Sequence, residues 1–589
     1  MELYENQAAF FAQKAIDLNQ QLSRLRLVRL FFGVLFLASA VLFAVHGTWI
    51  YILSFILGVG AFMVAVKFYG KKEKAVAEAK AHEATYRDEI AATREEFRSP
   101  EQGQRFEEEN HLYTYDLDLF GPHSLFEYLN RSHTELGKKT LALWLSHRLS
   151  TDQINDHQSI IAEWKKYTEW RMSFSAFARM TKDTPEQHQK LMAWIKGQPT
   201  EVPKTALFLS YLFPTIMAAL IIGGFISGQV LCYKFAGLLF TLQLGLLATV
   251  FKSLMAEADS FDQIKEHFTS YTRLFKWVET NPFEHERTKE QTRVFFEGKK
   301  PASQLLAQLE LHVSSLSNVQ NLVGVILFNG LASHHIRVYH QLVMWKKNHR
   351  HQMTQWFEVI GQWEALHSLT QFAVNNPTYS FPEISEKPCY SFAQLGHPLI
   401  KPQSRVNNDF SFTEPRFMIL TGSNMSGKST FLRTVGINLV LANCGSVVCG
   451  EKAVIRPCDV MVSMRLNDSL ADSTSYFFAE ITRIKTILDQ LNEETFVLFD
   501  ELLRGTNSDD KREGTLALLR NLQQRRATGI IATHDLEVCD ITSSDPSYFC
   551  NYNFEVHIQN NDLHFDYLLQ PGVCKNKSAT FLMKKQGII

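Results

Sequence analysis

The chain has 589 residues and a mass of 67.6 kDa, so its length alone predicts about four domains. Its formal net charge of −1 excludes a strongly basic protein that attracts nucleic acid by its overall field. Any contact with nucleic acid therefore has to come from a local basic patch. Hydrophobic residues make up 45% of the chain, and their uneven distribution predicts membrane segments.

Two uncharged apolar runs near the N-terminus predict a transmembrane helical hairpin. Leu30 to Val45 and Trp49 to Val66 are 16 and 18 residues long. Helices of these lengths measure about 24 and 27 Å, close to the roughly 30 Å of a bilayer core. Basic residues precede and follow the pair, which predicts that both ends face the cytoplasm. Buried helices of a soluble core are the alternative, and for the first run so is a cleavable signal peptide.

A second uncharged pair of apolar runs predicts another hairpin. Ala206 to Ile226 and Phe235 to Phe251 are joined by a stretch that contains turn residues. Lys204 and Lys252 flank the pair and agree with a cytoplasmic base. Lys234 lies in the far loop and favours the alternative, which is again a pair of buried soluble helices.

The segments beside the hairpins predict long helices. Lys71 to Asn110 is rich in Ala, Glu, Lys and Arg, which favours a long exposed helix. Leu254 to Trp363 repeats apolar residues at helical spacing, which predicts long packed helices. Within it, Lys346 to His351 is a local basic cluster, for which a nucleic-acid contact and a solvated helix face are the two interpretations.

The decapeptide TGSNMSGKST, from Thr421 to Thr430, fits the phosphate-binding pattern G-x-x-x-x-G-K-[ST]. A short apolar strand precedes it and an apolar helix follows, so the loop leads into a helix N-terminus, where anions bind. Lys428 is predicted to contact the β- and γ-phosphates of a nucleotide, and Ser429 to coordinate Mg²⁺. The residues predicted to bind ATP are Gly422, Ser423, Asn424, Met425, Ser426, Gly427, Lys428, Ser429 and Thr430.

Two further strands predict the rest of a hydrolytic site. The apolar run FVLF ends in Asp500 and Glu501, as expected for a central parallel strand that carries carboxylates at its C-terminal end. Asp500 is predicted to bind Mg²⁺ together with Ser429, and Glu501 to polarise the attacking water. His534 follows another apolar strand, where its imidazole could contact the γ-phosphate; a buried structural histidine is the alternative.

These motifs resemble those of the MutS-type DNA mismatch repair ATPases. The phosphate loop carries the family's Asn-Met pair, and DSTSYFFAE, from Asp472 to Glu480, resembles the family's S-T-F-x-x-E segment. In the family the serine of that segment reaches the γ-phosphate bound by the partner subunit, and Ser475 matches it. The sequence LFDELLRGTNSDD is similar to the family's D-E-x-G-R-G-T-S-x-x-D, with Leu503 in place of the first glycine.

The resemblance extends more weakly back to Leu117, and the chain departs from the family in two ways. Family members often have an aromatic residue that stacks on adenine, and the chain has Arg405 there, whose guanidinium can also stack. The residues before Leu112 are too few for the family's mismatch-recognition and connector domains, so we expect the chain to lack both.

The resemblance implies a multidomain protein with a mostly α-helical core and lever domain and a C-terminal α/β P-loop NTPase domain of the ABC-ATPase type, here joined to two transmembrane hairpins. It implies ATP and Mg²⁺ as cofactors, a homodimer, DNA as a partner, and Glu501, His534 and Ser475 as catalytic residues. The predicted segments are an N-terminal cytoplasmic helix (1–27), the first hairpin (28–68), a charged helical linker (69–110), the first part of the core (111–204), the second hairpin (205–252), a helical lever that returns to the core (253–385) and the ATPase domain (386–589).

The predicted function is that of a multi-pass protein of the cell (inner) membrane, with its ATPase and both termini in the cytoplasm. It would bind and hydrolyse ATP and bind DNA as a dimer, in mismatch repair or in another DNA-processing role. One alternative is an ATP-switched membrane scaffold that acts on a protein partner. The other is an ABC-type transport ATPase, for which the chain lacks an L-S-G-G-Q helix and enough spans for a pathway.

Overall fold

The protein is described by a computed structural model, which covers residues 1–94, 96–108, 110–317, 322–414, 416–465, 476–503, 507–559 and 562–574. The chain divides into two compact units. The predicted ATPase segment, 386–589, belongs to the second unit, together with stretches that the sequence assigned to the linker and the core. The first unit comprises Met1–Ala91, Ser132–Gly137 and Thr168–Gly361, and the second comprises Ala92–Arg131, Lys138–Tyr167 and Gln362–Ile589.

The first pair of apolar runs lies within two helices of 45 residues each, α1 (Glu2–His46) and α2 (Trp49–Thr93). Gly47 ends α1 with a φ of 66°, in the left-handed region that favours glycine at the end of a helix. The hydroxyl oxygens of Ser39 and Ser54 lie 2.9 Å apart across the pair. These hydroxyls therefore satisfy each other between two apolar surfaces.

The charged half of α2 is shorter and more buried than the sequence predicts. A long exposed helix is expected over Lys71 to Asn110, but α2 ends at Thr93. Tyr86 is 3% exposed and packs with Phe11 of α1 and Met172 of a later helix. The prediction of an exposed helix is wrong because side chains distant in sequence pack against this half of α2.

The second pair of apolar runs forms the helices α8 (Lys204–Ser227) and α9 (Val230–Asp262). The two helices approach closely near their turn, where a Cβ atom on Gly224 would lie 3.0 Å from Cβ of Cys232. Helix α9 continues past the predicted hairpin because Leu254 and Phe261 remain fully buried. Among the described residues, α1, α2, α8 and α9 are the helices long and apolar enough to cross a membrane.

An aromatic cluster lies among the remaining helices of the first unit. Phe275 packs against Phe295 and Phe357 with ring centroids 5.2 and 5.5 Å apart, and Trp356 is fully buried beside them. Burial of one such side chain stabilises the fold by roughly 1.5–3 kcal/mol. The helices concerned are α6 (Thr168–Arg179), α7 (Pro185–Lys196), α10 (Lys265–Val278), α11 (Glu286–Arg293), α12 (Ala302–Ser317), α13 (Leu322–Ala332) and α14 (His334–Asn375), of which α14 continues into residues of the second unit.

The second unit contains a six-stranded sheet of order β10-β9-β4-β8-β7-β6 in the described residues. All neighbouring strands are parallel except the hairpin of β9 and β10. Every residue of β4, β7 and β8 is buried, which explains their continuous apolar sequences. The strands are β4 (Phe417–Gly422), β6 (Asp459–Ser463), β7 (Thr495–Asp500), β8 (Thr528–Thr533), β9 (Phe549–Gln559) and β10 (Asp562–Pro571).

A smaller sheet of order β1-β5-β2-β3 and several helices complete the second unit. The helical N-terminal region and the C-terminal α/β sheets agree with the predicted fold class. The strands are β1 (Glu383–Ile384), β2 (Tyr390–Leu395), β3 (Asn408–Phe412) and β5 (Lys452–Ile455). The helices are α3 (Leu125–Leu129), α4 (Glu135–Ser146), α5 (Thr151–Trp164), α15 (Lys428–Asn443), α16 (Tyr476–Gln490) and α17 (Ser508–Gln524), and 3₁₀ turns lie at Gln104–Phe106, Val294–Phe296 and Leu536–Ser543.

The start of the predicted core domain packs directly on the large sheet. Leu117 is fully buried, and a Cβ atom on Gly436 of α15 would lie 2.6 Å from its side chain and 3.0 Å from Leu498 of β7. Glycine is therefore the residue that lets Leu117 reach α15. This packing is why the second unit includes residues that the sequence assigned to a separate segment.

A Gly529→Ala substitution should destabilise the second unit. A Cβ atom there would lie 2.3 Å from the carbonyl oxygen of Val497 and 2.9 Å from the ring of Phe417, both in neighbouring strands. We expect the free energy of unfolding to fall by about 1–3 kcal/mol, as for other overpacked cores. Differential scanning calorimetry of the purified full chain measures the effect.

The matched control is Gly514→Ala in α17, where the added Cβ meets only the end of the Leu503 side chain. Replacement of a helical glycine by alanine stabilises by up to about 1 kcal/mol, so this variant should unfold at the same temperature or higher. Equal unfolding temperatures for both variants would contradict the tight packing of β8.

Candidate functional site

The loop between β4 and α15 is shaped by residues with left-handed backbone conformations. Gly422, Met425 and Gly427 have φ angles of 152°, 67° and 101°. A Cβ atom on Gly422 would lie 2.6 Å from Oγ of Ser426 and 3.1 Å from the carbonyl oxygen of Phe554. Glycine is thus required at this position for the loop to turn back onto the start of α15, whose N-terminus is an anion-binding position.

A cavity of about 460 Å³ lies beside this loop. The predicted nucleotide-binding residues from Asn424 to Thr430 line it, and Glu501 lies at its edge. Lys428 is buried, and its ammonium donates to the carbonyl oxygens of Gly422 and Ser423 at 3.0 Å each. The loop therefore brings a cation and a helix N-terminus to one cavity, as an anionic ligand requires.

The two residues predicted to bind Mg²⁺ touch each other. The Ser429 hydroxyl, in the first turn of α15, donates to Oδ2 of Asp500 at 2.5 Å. Asp500 is the last residue of β7 and is 7% exposed. A hydroxyl and a carboxylate are both oxygen donors of the kind that Mg²⁺ prefers. The pair therefore fits the predicted cation by its chemistry.

Glu501 and His534 contact each other at the ends of the neighbouring strands β7 and β8, through Nε2 of the imidazole and the carboxylate. The Nδ1 atom of His534 lies 2.9 Å from the carbonyl oxygen of Gly422. A carbonyl oxygen only accepts, so a hydrogen bond here needs the proton on Nδ1. The predicted catalytic carboxylate and histidine are thus connected to each other and to the phosphate loop.

The backbone after Glu501 is held by a residue of the family-like segment. Glu480 in α16 is 3% exposed, and its carboxylate accepts the N–H of Leu503 at 2.7 Å. Leu503 has a φ of 59°, where a residue with a side chain costs about 1–2 kcal/mol relative to the right-handed region. This is the position at which the resembled motif has glycine. Ser475 lies outside the described residues, so its predicted role stays a prediction.

The far side of the cavity carries an aromatic residue that the sequence reasoning missed. A Cβ atom on Gly427 would lie 3.0 Å from the ring of Tyr567 in β10, and this ring is 43% exposed. Arg405, at the position where the family often has an aromatic residue, lines the same cavity, but its guanidinium donates to the Tyr379 hydroxyl at 2.8 Å and to Asn407 at 3.2 Å. The sequence feature that could have identified Tyr567 is its position in the strand that closes the family-like region.

A half-buried histidine also lines the cavity. Desolvation lowers the pKa of His397 to about 4, and the neighbouring arginines act in the same direction. Its imidazole is therefore neutral near pH 7.

Comparison with known proteins agrees with this geometry. Residues 418–586 match the family model of MutS domain V. The chain is 30% identical over 251 residues to the DNA mismatch repair protein MutS of Thermotoga petrophila, and 30% identical over 211 residues to MutS protein homolog 4 of Homo sapiens. The C-terminal part of this chain belongs to the MutS family.

The similarity to these MutS proteins is confined to part of each chain. It covers 41% of this chain and 31% of the Thermotoga petrophila protein, and 34% of this chain and 22% of the human protein. The chain therefore spans about a third or less of the length of the relatives it matches. A third relative, MutS of Thermotoga neapolitana, is 36% identical over 154 residues, which are 26% of this chain and 19% of that protein.

Two acids from outside the matched MutS region brace the site. Both backbone N–H groups of Met464 and Arg465 donate to Oδ1 of Asp116, at 2.9 and 2.7 Å, and Arg483 lies 3.3 Å from Oδ2. Burial raises the pKa of the Asp116 carboxyl, although these donors act against the shift. Asp118 contacts Arg465 and also Arg433. Helix α15 and the end of β6 are thereby tied to one segment.

An Asp116→Ala substitution should destabilise the second unit, because it leaves the N–H groups of Met464 and Arg465 and the Arg483 guanidinium without this acceptor. Each such group costs about 1–3 kcal/mol, so we expect a loss of roughly 2 kcal/mol or more in the free energy of unfolding. Asp116→Asn keeps an acceptor oxygen and should cost less than half as much. Urea denaturation of the purified full chain measures both.

The control is Asp118→Asn, since this side chain is 40% exposed and its ion pairs are screened by water. Exposed pairs contribute at most about 1 kcal/mol. If Asp116→Asn proved as damaging as Asp116→Ala, the negative charge of Asp116 and not its acceptor geometry would be the stabilising feature.

Proposed function

We propose that this protein is a membrane-anchored ATPase of the MutS type. The observation that supports it best is the meeting of three elements at one cavity: the phosphate loop, the Ser429–Asp500 pair and the Glu501–His534 pair. They come from the adjacent parallel strands β4, β8 and β7. A charged ligand commonly binds outside the carboxyl ends of such strands. The phosphates of ATP would bind at Gly422 to Thr430.

The residues of the chain have distinct tasks in this proposal. Ser429 and Asp500 would hold Mg²⁺, which when bound neutralises charge on the phosphates. Lys428 exchanges its bonds to the loop carbonyls for bonds to phosphate oxygens. Glu501 orients the attacking water and accepts its proton. His534, fixed through Nδ1 to the loop, keeps the Glu501 carboxylate directed at the cavity.

The base side of the nucleotide would rest on Tyr567. Its ring is partly exposed to the cavity and lies next to Gly427, whereas the guanidinium of Arg405 is engaged with Tyr379. A flat aromatic ring can stack on the π-face of a purine base. The sequence alone left the stacking residue open.

A Glu501→Gln substitution should lower the rate constant of ATP hydrolysis by a factor of about 10²–10⁴, because general base catalysis is lost. ATP binding should persist, since Lys428 and Ser429 are unchanged. Lys428→Ala should instead weaken ATP binding. Phosphate release and binding of a fluorescent ATP analogue by the purified protein separate the two effects, and EDTA should abolish hydrolysis.

Glu513→Gln in α17 is the matched control, because it removes an exposed carboxylate from the same domain and should leave both readouts unchanged. Normal turnover of the Glu501→Gln protein would contradict the assignment of Glu501 as the base.

The membrane part of the proposal rests on the four apolar helices. Large side chains such as Leu37, Leu57 and Phe208 are 59–65% exposed along them, which is unfavourable in water and suits a lipid environment. At one end of the first pair, the Arg29 guanidinium lies 4.5 Å from the ring centroid of Tyr69. Basic and aromatic residues are typical of the membrane interface. We place both termini and the ATPase in the cytoplasm, at the cell (inner) membrane.

DNA is the partner that the relatives suggest, since their names refer to DNA mismatch repair. We propose a homodimer that binds DNA under the control of ATP. The support for the homodimer and for DNA binding is the similarity to MutS proteins. Completion of one copy's site by Ser475 of the other remains a prediction, because that residue lies outside the described part of the chain.

A protein partner is a second candidate, and one observation favours it. In the basic cluster from Lys346 to His351, Lys346 is 2% exposed and lies 3.1 Å from Glu257. Lys347 pairs with Glu201 at 2.8 Å. These lysines are already neutralised within the first unit, so they are poorly suited to bind DNA phosphates.

Binding to DNA can be tested with the Glu501→Gln protein in detergent, loaded with ATP and mixed with labelled duplex or branched DNA at low salt. The DNA function predicts binding that weakens steeply as salt increases, because counterions are released from the phosphates. It should also be lost in Lys428→Ala. Failure to bind either DNA at low salt would reject DNA as the partner and favour the protein scaffold.

A further inference from the structure

Helix α13 has an exposed face made only of hydrocarbon side chains. Its sequence, LVGVILFNGLA, contains no charged residue. Ile326, Leu327, Phe328 and Leu331 are between 39% and 52% exposed. At 11 residues the helix is too short to span a bilayer by itself, since a spanning helix needs about 20 residues.

The other face of α13 packs on the second apolar hairpin. A Cβ atom on Gly330 would lie only 2.2 Å from the ring of Phe240 in α9, so the two helices are in close contact there. Phe240 follows the hairpin turn at Gly228 by 12 residues, which is about 18 Å along a helix. A bilayer core is about 30 Å thick. If the hairpin spans the membrane, this contact lies at the depth of the acyl chains.

The end of α13 also has a marker of the membrane interface. The guanidinium of Arg337, early in α14, lies 5.2 Å from the ring centroid of Tyr211 in α8. Tyr211 precedes Gly228 by 17 residues, or about 26 Å along the helix. An arginine and a tyrosine at that depth are expected near the headgroups. The C-terminal end of α13 therefore lies near the boundary between the headgroups and the acyl chains of the bilayer.

The polar residues of this region bond to each other on the inner side. The Ser333 hydroxyl donates to Oε1 of Gln243 at 2.9 Å. The Asn329 amide donates to the carbonyl oxygen of Val325 at 2.8 Å, and its oxygen accepts the N–H of His335 at 3.0 Å. Polar groups at membrane depth need partners within the protein. The Ser333 hydroxyl and the Asn329 amide meet this need on the inner face, while the exposed residues of the outer face are apolar.

We propose that α13 is a third membrane element of this protein, a half-length helix that lies against the second hairpin with its exposed face in the acyl chains of the bilayer. The inference rests on the proposed membrane anchoring and extends it. It fixes the start of α14 at the membrane. The occupant of the apolar face is lipid, because the face continues the exposed surface of α8 and α9 at the same depth.

Photolabelling by lipid tests this inference. The full-length protein is placed in nanodiscs of phosphatidylcholine and phosphatidylglycerol that carry a diazirine on an acyl chain, irradiated, and digested for mass spectrometry. We expect lipid adducts on the residues from Ile326 to Leu331 at a level similar to those on Phe208 and Leu238 of the hairpin, which are also exposed and apolar.

Leu311 of α12 is the internal control. It is apolar and 67% exposed, but the neighbouring Glu310 accepts a hydrogen bond from Thr269 of α10, beyond the end of the hairpin. Leu311 should remain unlabelled.

Two results would count against the proposal, and they are distinguishable. Labelled hairpins with an unlabelled α13 would overturn this inference, since a second copy of the chain or another protein would then cover this face, and would leave the membrane anchoring intact. Absence of adducts on both would reject the anchoring itself.

Discussion

The hydrogen bond between Ser429 and Asp500 is the interaction on which the candidate site depends. It joins the first turn of α15 to the end of β7, two elements that are 71 residues apart in sequence. The bond is possible because Gly422 and Gly427 turn the loop back onto the sheet and because Gly436 lets Leu117 support α15. Displacement of any of these elements would separate the oxygen atoms proposed to bind Mg²⁺. These elements of the fold therefore hold the Ser429 and Asp500 oxygen atoms at hydrogen-bond distance.

Local sequence patterns predicted the parts of the site that are formed by neighbouring residues. The strand, loop and helix around Lys428, and the buried strands before Asp500 and His534, follow from apolar runs and glycine spacing. Contacts between distant residues were not predictable in this way. Tyr567 reaches Gly427 only because β10 pairs with β9 and its backbone bonds to Asn408, a partner 159 residues away. The same reason explains the failure to predict the buried side of α2.

Leu503 shows how a departure from a motif can be tolerated. The family-like pattern has glycine here, and the left-handed conformation is retained with leucine at a cost of about 1–2 kcal/mol. The bond from its N–H to the buried Glu480 contributes an opposing stabilisation, typically about 0.5–1.5 kcal/mol for a hydrogen bond. The conformation after Glu501 is thus imposed by a neighbouring helix and not by the residue itself. That helix, α16, begins at Tyr476, directly after Ser475 in sequence. The family-like segment around Ser475 and the one around Asp500 are therefore connected through Glu480.

The resemblance to MutS proteins accounts for the chemistry of the second unit but not for the apolar helices, which lie outside residues 418–586. The proposed membrane role therefore rests on the first unit, which carries these helices. Helix α14 is relevant here, because its 42 residues form one uninterrupted helix of about 63 Å that contributes residues to both units. Its first turn is tied through Ser333 and Asn329 to the second hairpin and α13. The start of α14 is therefore held beside the proposed lipid contact, within the first unit.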